Sequence, residues 1–154
     1  MTRWLNPEEQ KAWRAFLRAS RTLLDTLDRE LQRDARMPHA YYEILVRLSE
    51  APERTMRMSE LAEGTFSSRS RLSHAVARLE EVGWVERREC LTDRRGQLAV
   101  LTDAGFEALA AAAPGHVEGV RTHLFDQLTP AQVKQLKQIS EALLGHLDPG
   151  RPLY

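Results

Sequence analysis

The sequence lacks the features that mark secreted, membrane-bound and metal-binding proteins. Its single cysteine, Cys90, cannot form an internal disulfide, and no Cys/His spacing indicates zinc. No stretch approaches the roughly 20 apolar residues of a membrane span, and the N-terminus has no signal-peptide layout. These absences predict a cytoplasmic protein with no membrane partner, no metal and no cofactor.

Motifs of catalysis are missing as well. The chain has no Gly-x-Ser-x-Gly, no glycine loop that would hold a phosphate and no His-Glu-x-x-His. Its histidines are scattered, and only His116 and His123 have a seven-residue spacing that suits one helix face. We therefore expect no enzyme activity.

Acidic and basic residues balance at 22 each, so the formal net charge is zero. A globally basic nucleic-acid coat is excluded, and any DNA binding must come from local segregation of charge. Such segregation exists: from Gly64 to Leu79 there is no Asp or Glu.

That acid-free stretch contains the most informative helix pattern of the chain. Apolar residues spaced four, three and three apart run from Leu72 to Val82 and share one face. Ser67 is a favourable N-cap and Gly83 a favourable stop. The other faces carry Ser68, Arg69, Ser70, Arg71, Ser73, His74 and Arg78. This pattern predicts a helix that lies in a DNA groove.

The flanking segments predict a helix-turn-helix followed by a hairpin. Thr55–Arg57 is a minimal strand, and Ser59 caps a short helix that ends at a Gly64-Thr65 turn. After the acid-free helix, strands at 84–90 and 97–101 are joined by a polar loop, 91–96. Arg94 and Arg95 lie at the tip of this wing, and arginines on such arms enter minor grooves.

Long amphipathic helices are predicted at both ends of the chain. The first spans Asn6 to about Arg36, and Tyr41–Ser49 forms a second after the Met37-Pro38 break. Thr102 caps a later helix that Pro114-Gly115 interrupts or kinks, and Thr129-Pro130 begins the last helix. Its apolar side carries Val133, Leu136, Ile139, Leu143 and Leu147. Helices with such apolar stripes usually need a partner to cover them.

Four segments, in this order and spacing, resemble the MarR family of winged-helix transcription regulators. They are Ser59–Ala62, Leu79–Val85, Asp93–Gly96 and Leu101–Gly105. The resemblance implies a mainly α (α+β) fold with a winged helix-turn-helix at 37–102. Residues 1–36 and 103–148 would form the dimerisation helices, and 149–154 a C-terminal tail.

The resemblance also implies roles for individual residues. A homodimer would read a pseudo-palindrome in double-stranded DNA, with Ser68 to His74 at base edges of the major groove. Arg95 would reach the minor groove, and Arg78 and Arg94 would contact phosphates. The Asp93 carboxylate would pair with an arginine and hold the wing in shape.

Three further sites in the sequence have alternative interpretations. By the same resemblance, a small aromatic or phenolic effector would lie in a crevice near Trp13, Phe16, His39, Tyr41 and Tyr42, although each is more typical of core or surface than of a ligand contact. Cys90 is more typical of an inert strand residue than of a redox sensor. Arg87 and Arg88, flanked by Glu86 and Glu89, are interpreted as an exposed strand pair.

The sequence pattern favours a DNA-binding regulator, and the resemblance implies one that is sequence-specific and ligand-responsive, in a family where repression is more usual than activation. The alternative is a winged-helix module for protein contact, whose Ser/Arg face meets an acidic partner. Salt-dependent binding to DNA distinguishes the two, because phosphate contacts release counterions.

Overall fold

The computed structural model describes residues 1–65 and 67–150, apart from the side chains of Arg94 and Arg95. The helices are α1 (Pro7–Ala35), α2 (His39–Glu50), α3 (Met58–Gly64), α4 (Arg69–Glu81), α5 (Asp103–His123) and α6 (Pro130–Leu147). The strands are β1 (Thr55–Arg57), β2 (Val85–Cys90) and β3 (Asp93–Leu101). The predicted mainly helical fold with a small antiparallel sheet is confirmed. The chain forms two compact units, residues 1–116 and 117–154.

The first helix begins where its sequence predicts. The Asn6 side chain accepts a hydrogen bond from the Glu9 amide, and the Glu9 carboxylate accepts one from the Asn6 amide, both at 2.8 Å. This reciprocal pair satisfies two amides that the first turn leaves open. The helix ends at Ala35, and Met37, only 1% exposed, anchors the following segment in the core.

Helix α4, which contains most of the acid-free stretch, begins one residue later than predicted. Ser67 is wrong as the N-cap, because its own amide still donates to the Ala62 carbonyl of the preceding turn. Ser68 has the extended cap conformation instead, and its hydroxyl accepts from the Arg71 amide at 3.2 Å. Leu72 faces the core as predicted. Val82 does not share that face, since it follows the last helical residue and is 57% exposed.

The helix ends at the predicted glycine. Gly83 has a φ of 78°, which L-residues with a side chain rarely adopt. Its amide donates to the Glu80 carbonyl and the Trp84 amide donates to the Leu79 carbonyl, both at 2.9 Å. These are the two bonds of a Schellman motif, which turns the chain directly into β2.

Two other local predictions need correction. Helix α3 begins at Met58, directly after β1, so Ser59 lies in its first turn and is not its cap. Pro114 and Gly115 do not interrupt α5, which continues through both residues. Proline removes only one amide donor there, and an otherwise alanine-rich helix accommodates that loss.

The sheet has the order β1-β3-β2, with both pairs antiparallel. The wing hairpin is tighter than predicted, because β3 begins at Asp93 and only Leu91 and Thr92 lie between the strands. Cys90 pairs with Asp93 across an irregularity after Glu89. Cross-strand pairing extends the strand through polar residues, which the hydrophobic pattern alone does not reveal.

One continuous core holds α4 against the sheet. Its fully buried members include Leu45 and Leu48 of α2, Leu61 of α3, and Leu72 and Leu79 of α4. Val85, Ala99 and Leu101 of the sheet and Leu109 of α5 join the same cluster. Burial of one helix face in this way leaves the opposite face of α4 at the surface.

The second unit contains α6, which begins at a capping box. The Thr129 hydroxyl accepts from the Gln132 amide at 3.2 Å, and the Gln132 side chain accepts from the Thr129 amide at 2.9 Å. No residue of α6 is buried, and Ile139, Leu143 and Leu147 are 58%, 45% and 72% exposed. Within residues 1–65 and 67–150, no helix is long and apolar enough to cross a membrane.

Candidate nucleic-acid interface

The outer face of α4 is basic and polar. Ser68, Arg69, Ser70, Arg71, His74 and Arg78 are exposed, and Ser73 is half-buried. In the part of the chain that the structure describes, Arg69 and Arg71 make no ion pair. Both lie in the first turn, where unpaired amides and the helix dipole add positive potential. This end of α4 is therefore suited to approach an anion.

The acidic residues that follow at the end of α4 are already paired. Glu81 accepts from Arg78 at 3.1 Å, and a Glu80 carboxylate oxygen lies 2.8 Å from Nε of Arg87. Arginine contacts thus reduce the negative charge at the C-terminal end of the face.

The wing carries its own arginine contact. Arg57 of β1 places Nη1 3.9 Å from the Asp93 carboxylate, and its Nη2 donates to the Thr92 hydroxyl at 3.3 Å. Both members of the ion pair are about half exposed, so its energy is small, on the order of 0.5 kcal/mol. Its geometry nevertheless links β1 to the turn of the hairpin. The side chains of Arg94 and Arg95 lie outside the described residues.

Arg87 is not the exposed residue that its flanking glutamates indicated. Its Nη2 donates to the Ser73 carbonyl at 2.6 Å and contacts the Ser73 hydroxyl at 3.3 Å. Its Nη1 reaches the Gln97 side-chain oxygen at 3.4 Å. The Nε atom of Arg87 lies 2.8 Å from a carboxylate oxygen of Glu80. This contact is an ion pair without hydrogen-bond geometry. Arg88, by contrast, is exposed and pairs with Glu86.

The alternation of side chains along β2 is the sequence signal that predicts which way Arg87 points. Residues two apart in a strand share a face, and Arg87 is two positions after the buried Val85. It therefore points to the same side as the core, toward α4, whereas Arg88 points to the solvent.

Comparison with known proteins places this winged helix in a family. The MarR family profile matches residues 37–96. Sco3205, a MarR family transcriptional regulator from Streptomyces coelicolor solved in complex with DNA, is 54% identical. The match covers 97% of this chain and 94% of Sco3205, with a TM-score of 0.93. The chain belongs to the MarR family.

Other relatives agree with this assignment. AbsC, a MarR family transcriptional regulator from Streptomyces coelicolor, is 44% identical over 95% of this chain and 98% of its own, with a TM-score of 0.89. The transcriptional repressor MprA of Escherichia coli (strain K12) is 34% identical over 104 residues. That match covers 68% of this chain but only 58% of MprA. This protein is thus a MarR family transcriptional regulator.

The predicted effector residues of this MarR family regulator fall into separate groups. Trp13 and Phe16 contact each other on α1, at 6.5 Å between ring centroids, and both are more than half exposed. Tyr41 lines a groove beside α4, of about 780 Å³. His39 is fixed beside Asp28 by a 2.8 Å hydrogen bond from its amide. Since Asp28 is roughly 20 Å along α1 from Trp13, one chain does not bring all five side chains together.

His39 and Tyr42 instead form an aromatic cluster with His116 of α5. Ring centroids are 4.4 Å apart for Tyr42 and His116, and 5.4 Å apart for the two histidines. Burial lowers the pKa of His116, and the neighbouring His39 lowers it further, whereas Glu30 opposes the change. Burial also raises the pKa of Tyr42. The cluster is therefore most stable with His116 uncharged.

Cys90 is buried in the wing, at 8% exposure. Its sulfur lies 3.2 Å from the Thr92 hydroxyl, and this hydrogen bond is the main reason that the pKa of Cys90 is lowered. Limited access favours the inert strand residue over the redox sensor. Among the described residues, no group of three or more His, Cys, Asp or Glu side chains is arranged to hold a metal ion.

Acidification is expected to destabilise this regulator through His116. The pKa of His116 lies below its ordinary value of 6.5 in the folded protein, so the unfolded chain binds the proton more readily. The stability that depends on an uncharged His116 is therefore fully present above pH 6.5, and it is lost as the pH falls toward the pKa of His116 in the folded protein. Urea unfolding at pH 7.5 and pH 5.5 measures this loss. We expect His116→Gln to reduce the pH dependence of the free energy of unfolding. His74→Gln, on the exposed face of α4, serves as the control and should leave that dependence as in wild type. An equal pH dependence for wild type and His116→Gln would contradict the role of His116.

Proposed function

We propose that this MarR family regulator is a homodimer that binds a pseudo-palindromic DNA operator, most simply as a cytoplasmic repressor. The observation that carries the proposal is the outer face of α4 from Ser68 to Arg78, which has no acidic residue and exposes Arg69 and Arg71 in its first turn. The solved complex of the 54% identical Sco3205 with DNA supports DNA as the partner. The repressor function named for MprA supports repression.

The proposed DNA contacts follow from the exposed surface. Ser68, Arg69, Ser70, Arg71 and His74 of α4 would meet base edges in the major groove, where arginine pairs with guanine in bidentate fashion. Ser73 would contribute at the same face with a hydroxyl that Arg87 also contacts. Arg78 and Arg94 would contact phosphates, and Arg95 would reach the minor groove. Asp93, held beside Arg57, would support the wing.

The dimer would use the terminal helices. Trp13, Phe16 and Leu24 of α1 are exposed in the single chain, as are Ile139 and Leu143 of α6. Large apolar side chains in such stripes are stabilised when a second copy covers them. Residues 1–36 and 103–148 would form this dimerisation lobe, with 37–102 as the DNA-binding lobe and 149–154 as a tail. A two-fold axis would set the two copies of α4 about 34 Å apart, one turn of DNA.

The regulator would respond to a small aromatic or phenolic effector by a change in the separation of the α4 helices. A ligand shifts such an equilibrium only by its differential affinity for the two forms. Trp13, Phe16, His39, Tyr41 and Tyr42 remain the proposed contacts. Because the described chain divides them into groups, a single crevice containing all of them requires residues from both subunits.

Loss of the Arg95 side chain tests the minor-groove contact. Arg95→Ala is expected to weaken operator binding by about tenfold, near 1.4 kcal/mol, with the dimer intact. Fluorescence anisotropy on a labelled duplex at several salt concentrations measures the affinity and its salt slope. Arg88→Ala is the matched control, because Arg88 is an exposed arginine of the same wing that pairs with Glu86.

An Arg95→Ala protein with unchanged affinity would contradict the minor-groove role. Wild-type protein that binds duplex DNA without salt dependence would contradict DNA binding itself, since phosphate contacts release counterions. The protein-contact alternative would then explain the Ser/Arg face of α4.

A further inference from the structure

The Arg87 side chain connects three elements of the DNA-binding lobe. It projects from β2, donates to the Ser73 carbonyl in α4, lies against Glu80 near the end of α4, and reaches Gln97 on β3. Ser73 and Glu80 are seven residues, or about two helical turns, apart in α4, and one guanidinium contacts the carbonyl of the first and the carboxylate of the second. We propose that Arg87 is a positioning residue that fixes the wing relative to the recognition helix α4. The inference rests on the proposed function for its effect on DNA binding.

The chemistry of this contact requires arginine. A planar guanidinium carries five N–H donors in fixed directions, whereas a lysine ammonium is a single point charge on a flexible stem. Here Nη2 and Nη1 point to acceptors on α4 and β3, while Nε lies 2.8 Å from the Glu80 carboxylate as an ion pair without hydrogen-bond geometry. The Arg87 side chain is 24% exposed and that of Glu80 is 37% exposed. Partial exclusion of water makes such charged contacts stronger than those of surface pairs.

The position of the contact gives it a consequence for DNA binding. Ser73 precedes His74 on the side of α4 proposed to face DNA, and β2 leads through the turn at Leu91 and Thr92 into β3, which carries Arg94 and Arg95. Val85, Ala99 and Leu101 of the hairpin join α4 in the core, and Arg87 adds a polar contact to this apolar packing. Without Arg87, the outer part of the hairpin loses its polar connection to α4. The wing would then have to be ordered when DNA binds, which reduces affinity.

A purely electrostatic role makes a different prediction. If Arg87 only neutralised Glu80, or only attracted phosphates, then Arg87→Lys would restore its function. Removal of both charges in Arg87→Met/Glu80→Gln would likewise restore any loss due to an unpaired Glu80. A positioning role predicts that neither substitution restores the wild-type affinity, because neither rebuilds the contacts to Ser73 and Gln97.

The first arm of the experiment uses the free full-length protein. Hydrogen exchange of amides in residues 85–98 is compared for wild type, Arg87→Lys and Arg88→Lys, with urea unfolding as a check on global stability. We expect faster exchange in the hairpin of Arg87→Lys and wild-type exchange in Arg88→Lys. Hairpin exchange that is identical in all three proteins would overturn the inference, whatever the outcome for DNA.

The second arm is a double-mutant cycle on the operator fragment most enriched from genomic DNA, with a random duplex of equal length as reference. Arg87→Lys is expected to weaken operator binding roughly tenfold, about what one hydrogen bond to a charged group contributes. Arg95→Ala should then have a much smaller effect in the Arg87→Lys protein than in wild type, because the wing is already misplaced. Fully additive effects, or wild-type affinity of Arg87→Lys, would overturn the inference. Failure of wild type to prefer any fragment would instead refute the proposed operator binding, and the hydrogen-exchange arm would still decide the role of Arg87 in the fold.

Discussion

Gly105→Ala is expected to destabilise the folded protein by about 3 kcal/mol, a large fraction of the stability of a small domain. A Cβ atom at this position would lie 2.1 Å from the Trp84 carbonyl oxygen and 2.9 Å from its carbon. It would also lie 2.7 Å from a methyl group of Leu101. The Trp84 carbonyl accepts from the Thr102 amide at 3.1 Å, so it cannot withdraw without loss of that bond. The first turn of α5 can therefore pack against Trp84, directly before β2, only because residue 105 has no side chain.

The same helix supplies a matched control for this prediction. A Cβ atom at Gly115 meets nothing within 4 Å, so Gly115→Ala should be neutral or stabilise α5 by up to about 1 kcal/mol. Urea unfolding followed by far-UV circular dichroism, at one protomer concentration, compares the two variants with wild type. Equal stability of Gly105→Ala and wild type would contradict the close approach of α5 to Trp84.

Leu143→Asp is expected to convert the proposed dimer to monomer. Leu143 is 45% exposed in the single chain, so a charge there has little effect on the fold of one subunit. In a dimer that covers the α6 stripe, the carboxylate would lose its water without gaining a partner. A monomer also loses the advantage of two linked half-site contacts, so operator affinity should fall by about 100-fold or more.

Gln138→Asp serves as the control, because Gln138 is exposed on the side of α6 opposite the stripe. Sedimentation equilibrium should show a dimer for wild type and Gln138→Asp, and a monomer for Leu143→Asp. A Leu143→Asp protein that sediments as an unaltered dimer would exclude α6 as the interface.

The elements with strong local signals were predicted well from the sequence. The start of α1 at Asn6-Pro7, the cap of α6 at Thr129 and the stop of α4 at Gly83 each depend on a side chain or backbone preference within four residues. Ser67 and Ser68 show where such signals fail. Both are good caps in isolation, and the hydrogen bond of the Ser67 amide to Ala62 in the preceding helix decides between them.

Contacts between distant segments were not predictable in the same way. The partner of Asp93 was expected to be an arginine, but only the sheet order places Arg57 beside it. Arg54 shows the same limitation: its guanidinium lies 4.1 Å from the centre of the Phe106 ring and 3.1 Å from the Asp103 carboxylate, 49 residues away. The length of the wing turn likewise depended on strand pairing. The glutamates that flank Arg87 were misleading, because they suggest an exposed side chain. The alternation of side chains along β2 determines which way Arg87 points.

We propose above all that this MarR family regulator recognises a DNA sequence as a dimer. The most direct test of this proposal is selection of genomic fragments by the purified full-length protein at about 150 mM salt, with competing random DNA. We expect enrichment of a pseudo-palindrome whose half-site centres are about 10 base pairs apart. A well-folded dimer that enriches no fragment above background would contradict it, and would favour an acidic protein as the partner of α4.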